Sequence, residues 1–134
     1  MTEVMGRRLR SLEAVVALTA AGLLLRALSF ARIVRLWRRP RDARPPAEAD
    51  ARAVAAAVQA AAARLPWEAR CFERGLAAMT MLRRRGFSPT LCYGARDEGE
   101  ALRAHVWVRL GEHPVTGWEE AEGFALLAQF PEGA

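Results

Sequence analysis

Hydrophobic and polar positions change their period once along this chain, from helical spacing to strict alternation, and the change falls at Gly86. Glu13 to about Leu28 is almost uniformly apolar, with Ser11 placed as a candidate N-cap, and a helix apolar all round needs cover from protein or lipid. Phe30, Ile33, Val34 and Trp37 follow at i, i+3, i+4, i+7, while Arg32, Arg35 and Arg39 take another face. That spacing predicts a basic amphipathic helix ended by Pro40. In "ADARAVAAAVQAAAARLP", Val54, Val58, Ala61, Ala62 and Leu65 share one helical face until Pro66. From Cys71 onward, Phe72, Leu76, Met79 or Ala78, and Leu82 mark a further helix face, and Arg83-Arg84-Arg85-Gly86 supplies a basic last turn and a glycine cap.

Beyond Gly86, Ser88–Tyr93 reads as a strand and "GARDEGEA" as a connecting loop. "LRAHVWVRL" alternates throughout, with Leu102, Ala104, Val106, Val108 and Leu110 on one side and Arg103, His105, Trp107 and Arg109 on the other. "GEHP" turns the chain, exposing His113, and Val115-Thr116 begins a short strand; "EEAEGFALLAQFP" fits no single period. Helices before an antiparallel sheet make an α+β fold. The Pro-rich, charged segment 41–49 is the one obvious boundary, between a hydrophobic and basic helical region, 1–40, and a core, 50–134.

Charge sharpens that division. Met1–Pro46 carries ten arginines against Glu3, Glu13 and Asp42, a net of +7, whereas Ala47–Ala134 carries ten against twelve acids, a net of −2. All 20 basic residues are arginine, a bias that makes their number alone uninformative. The sheet half has no basic stripe with interleaved aromatics, which argues against a nucleic-acid binder. The longest uncharged run, Ala14–Leu25, falls short of the roughly 18 residues of a membrane span, and Arg26 interrupts it before any signal-cleavage site. A buried helix is the expectation, with a cleaved signal or a peripheral membrane anchor as alternatives, and the cytoplasm is the expected compartment. Cys71 and Cys92 show neither zinc-ligand spacing nor a disulfide framework, and no Gly-rich phosphate loop is present, so neither metal nor cofactor is expected.

Candidate chemistry centres on Cys71. The partial positive charge and free N–H groups at a helix N-terminus stabilise a thiolate, so a cysteine in the first turn stands where a nucleophile would be built. It needs a base, and His105, opposite the aliphatic row and two residues from Trp107, is the strongest candidate. Periodicity does not force the two together, and a packed cysteine and a structural histidine are the commoner outcome. Cys92 in a strand, and Met79 and Met81 on the helix, read as core packing.

"LPWEARCFERGLAAMTMLRRRGFSPTLCYGAR" followed by "RAHVWVRLGEHPVTG", about Leu65 to Gly117, resembles the lasso peptide leader peptidases, transglutaminase-like cysteine peptidases of the microcin-processing type. The shared pattern is P-W-x-x-x-C, L-R-R-R-G and A-H-x-W-V. The resemblance implies a papain/transglutaminase-like core, a helix carrying the cysteine packed on a small antiparallel sheet, with helices before it. It implies Cys71 as nucleophile and His105 as general base, acting on a ribosomally made precursor peptide. A separate small leader-binding protein presents the precursor in such systems, and an ATP-dependent cyclase closes the macrolactam ring. Many relatives place an Asp shortly after the His strand; "HPVTGWEEAEG" has none, with Gly117 near that place, which leaves Glu119, Glu120 or a backbone carbonyl to orient the imidazole. A non-catalytic binding or assembly protein of the same fold and a transglutaminase-like acyl transferase are the alternatives.

Overall fold

A computed structural model describes residues 2–38, 40 and 42–131, with the backbone alone at Thr2. Helix α1 spans Thr2–Ala27, α2 Phe30–Arg35, α3 Glu48–Arg64 and α4 Cys71–Arg84. The strands are β1 Thr90–Asp97, β2 Leu102–Leu110, β3 His113–Thr116 and β4 Ala125–Phe130, with one turn of 3-10 helix at Trp118–Glu120. They form one antiparallel sheet in the order β3-β2-β1-β4. The α+β layout with helices first is therefore the observed one. Arg39, assigned to the basic face of the second helix, lies outside the described residues.

Small residues set the spacing of the layers. Ala51, Ala57, Ala61 and Ala62 are buried on α3, and Ala14, Leu18 and Ala21 on α1, so that α1 lies across α3 and α4 as an outer layer. Beneath it, α3 and α4 cover the sheet. A side chain added at Gly75 of α4 would meet Leu91 and Val106 at 3.3 Å, so the helix seats closely on β1 and β2. Cys71 stands one turn earlier on the same helix. The core holds Met79, Met81, Leu82, Phe87 and Leu91 beside the aliphatic row of β2, in which Val106, Val108 and Leu110 are buried while Leu102 is open at the hairpin end. Each buried side chain of that size contributes about 1.5–3 kcal/mol.

Several boundaries differ from the sequence expectations. Helix α1 begins at Thr2, not near Glu13, because Glu3, Met5, Arg7, Arg8, Leu9, Arg10 and Leu12 are good helix formers, and Ser11 lies inside the helix. Its cover is one-sided: Met5, Leu9, Leu12 and Val16 remain exposed on the face turned away from α3 and α4, and Leu23 is exposed beside the loop that leads into α4. No described helix is long and apolar enough to cross a membrane. Strand β1 runs on through "GARD" to Asp97, since Gly94 and Ala95 pair with His105 and Ala104 on one side and with Leu126 and Ala125 on the other. The aperiodic tail supplies β4, which completes the sheet beside β1. His113 opens β3 opposite Leu110 and is half-buried, not exposed.

The basic last turn of α4 has a specific partner. Glu13 of α1 accepts from Arg84 at 2.7 Å and from Arg85 at 2.6 Å, and these bonds tie α1 to the far end of α4. The Arg85 hydrogen bond, supported by the charges of Arg85 and Arg84, holds the Glu13 carboxyl below the usual carboxylate range despite its burial.

Candidate active site

Cys71 is the first residue of α4 and is half-buried. Arg70 at the N-cap makes no side-chain cap, and among the described residues no side chain accepts from the N–H groups of the first turn. The preceding loop is held by the Arg74 Nε–H, which donates to the Ala69 carbonyl at 2.9 Å. Local sequence explains the helix start: Pro66 stops α3, and the run from Cys71 has one apolar face that α4 buries.

His105 lies on the face of β2 opposite the aliphatic row, as its alternation requires, and is only 4% exposed. That face carries a layer of its own. The segment 117–124 folds over it: Phe124 stands 5.2 Å from the imidazole, centroid to centroid, and Trp107 stacks on the imidazole at 5.9 Å. Trp118 anchors the segment by donating from its indole N–H to the Val108 carbonyl at 2.7 Å.

The imidazole Nε2 lies 2.7 Å from the Gly117 carbonyl oxygen. A carbonyl only accepts, so Nε2 carries the proton, and in the neutral ring Nδ1 is left with the free lone pair. Gly117 has a φ of +78°, and a Cβ there would stand 2.5 Å from the Val106 carbonyl oxygen. Glycine is thus required for the chain to turn tightly enough to aim this carbonyl at His105. Glu119 and Glu120 line the same cavity but are exposed and make no hydrogen bond to the imidazole among the described residues. The alternation of β2 points to His105; nothing local in "TGWEE" points to the Gly117 carbonyl, although its position near the expected third residue was a signal.

One cavity of about 600 Å³ is lined by Cys71, Arg74, Arg103, His105, Gly117 and the two glutamates. The fold therefore brings together the thiol, the imidazole and the carbonyl that fixes its tautomer. Cys92 stays apart: it is buried in β1 opposite Trp107 and Gln129. Burial pushes its thiol up, a shift partly offset by Arg109. Met79 and Met81 are wholly buried in the core.

No curated protein and no solved structure matches the chain. The family model described as "Transglutaminase-like superfamily" matches residues 15–129, from within α1 into β4, and so spans the Pro-rich connector as well as the segment that carries the Cys and His motifs. A half-buried cysteine opening a helix, a buried histidine on a facing strand and a match over most of the sequence make this chain a member of the transglutaminase-like superfamily.

Proposed function

We propose that this protein is a cysteine peptidase that removes the leader from a ribosomally made lasso precursor peptide. The superfamily supports cysteine-based acyl chemistry, either peptidase or acyltransferase. The observation that carries the site assignment is the Gly117 carbonyl holding His105 Nε2 in a cavity that Cys71 also lines. The choice of lasso leader removal rests on the resemblance of the Cys and A-H-x-W-V motifs to those of the lasso leader peptidases.

In this reading His105 Nδ1 takes the Cys71 proton, and the thiolate attacks the carbonyl carbon of the leader–core peptide bond. The first-turn N–H groups of α4, free of a side-chain cap, stabilise the oxyanion. The tetrahedral intermediate collapses, the C–N bond breaks, and the imidazolium returns its proton to the departing core amine. Water, deprotonated by His105, then attacks the thioester, releases the leader as a carboxylic acid and restores the thiol. A leader-binding protein would present the precursor in the cytoplasm, and an ATP-dependent cyclase would receive the freed core.

The test is alkylation by iodoacetamide, read separately at the two cysteines by mass spectrometry, on wild type and His105→Ala. Faster reaction at Cys71 than at Cys92, lost with His105, is the expected result. Equal inertness of both thiols would leave a binding protein of this fold as the better reading. Transfer of the acyl group to an added primary amine, in place of hydrolysis, would favour the acyltransferase.

A further inference from the structure

A second cleft of about 830 Å³ opens beside the Cys71 cavity, between α1 and the Pro66–Arg70 loop that leads into α4. Leu23, Leu25, Phe30, Trp67 and Phe72 form its apolar wall. Phe30 and Phe72 pack edge to face at 4.8 Å, which fixes part of that wall, while Trp67 and Leu23 hold large apolar surfaces to solvent, at 43% and 62% exposure. Large apolar side chains grouped in a concave surface mark a binding site more often than scattered ones do.

Two further observations connect this cleft to the chemistry. Glu68, Arg70 and Phe72 line both it and the cavity of Cys71 and His105, so the two spaces adjoin along the loop that leads into the nucleophile. Glu73, on the first turn of α4, also lines the cleft, and its buried Oε2 has no hydrogen-bond partner among the described residues. A desolvated carboxylate oxygen without a donor is costly, and a turn of the Glu73 side chain toward the cleft would let a bound N–H remove that cost.

We propose that this cleft is the substrate-side-chain site of the same enzyme, taking an aromatic or branched aliphatic side chain of an extended peptide. That side chain belongs one or two residues before the residue whose carbonyl is attacked. The inference rests on the peptidase reading for its reaction and adds the class of substrate. A peptide crossing from the cleft to Cys71 offers its backbone N–H groups to Glu73 while its side chain fills the apolar wall. The acyl side is the half to anchor there: it stays attached to Cys71 through both half-reactions, whereas the amine side leaves after the first.

Gly22, which lines the cleft, gives a way to fill it without removing any side chain, because a Cβ added there has only the Glu73 carboxyl group near it, 3.6 Å away. The probes are acetyl-Phe-Gly-Gly, acetyl-Gly-Phe-Gly and acetyl-Gly-Gly-Gly chloromethyl ketones, whose chloride the Cys71 thiolate displaces to form a thioether. Each rate on the full-length protein is divided by the iodoacetamide rate of the same thiol in the same variant. One phenylalanine probe should exceed the all-glycine probe by about tenfold or more, the gain that burying such a side chain provides. That ratio should collapse toward one in Gly22→Leu and in Trp67→Ala. Equal ratios for all three probes, or a preference that survives both substitutions, would overturn the proposal. Since the ratios are normalised to the thiol's own reactivity, an unactivated Cys71 would sink the peptidase reading while the side-chain preference stayed measurable.

Discussion

The two faces of strand β2 obey the same alternation and serve opposite ends. One presents Val106, Val108 and Leu110 to the helices, where they are wholly or almost wholly buried; the other presents His105 and Trp107, which are nearly as buried, to a segment of only eight residues, 117–124. On the first face burial comes from apolar packing, which is non-directional and tolerant of volume-conserving change. On the second it comes from two backbone carbonyls, those of Gly117 and Val108, and a few stacked rings. A site built this way depends on direction, and small displacements matter to it more than lost area does.

That contrast can be broken from either side. Val108→Asp buries an unpaired carboxylate in the helix-facing core and should cost about 4 kcal/mol or more, enough to abolish cooperative unfolding in a urea titration. His105→Ala should do the reverse: if the proposed peptidase reaction is the activity, peptide cleavage falls by roughly 10³-fold while urea stability changes by about 1–2 kcal/mol. Similar stability losses for the two variants would mean that the second face is packing and nothing more.

Gly117→Ala sits between these. The added methyl meets the Val106 carbonyl oxygen and Trp107, and the backbone must leave its φ of +78°, so the carbonyl turns from His105. Cleavage should drop by about 10–100-fold with a stability loss of about 1–2 kcal/mol. Glu119→Gln and Glu120→Gln, by contrast, should each lower kcat less than about threefold, the outcome for charges that line the cavity without holding the imidazole. A drop comparable to that of Gly117→Ala would move the orienting role to a carboxylate.

A further effect lies away from both faces, at the Glu13 link between α1 and α4. Its folded carboxyl titrates below its unfolded one, so its stabilisation is present above the unfolded value and is lost as pH falls through the folded one. Glu13→Gln should remove about 1 kcal/mol of stability at neutral pH and flatten the acid limb of a pH–stability curve measured by urea unfolding.

What the sequence determined by itself was whatever near neighbours decide. Spacings of three and four placed the buried faces of α3 and α4, Pro66 and Gly86 bracketed the cysteine helix, and alternation assigned His105 and Val106 to opposite sides of one strand. The Cys and A-H-x-W-V motifs carried the superfamily, which the family match over residues 15–129 extends beyond them. The tertiary structure decided what depends on distant partners. "GARD" became strand because β2 and β4 pair with it from both sides, and the aperiodic "ALLAQF" became β4 because β1 offered an edge. Glu13 left the role of helix start for Arg84 and Arg85, 71 and 72 residues away. The hydrogen-bond partner of His105 proved to be a backbone carbonyl, a group every residue possesses. Only a left-handed turn at Gly117, folded back on β2, gives that carbonyl its direction, and no local pattern of side chains records it.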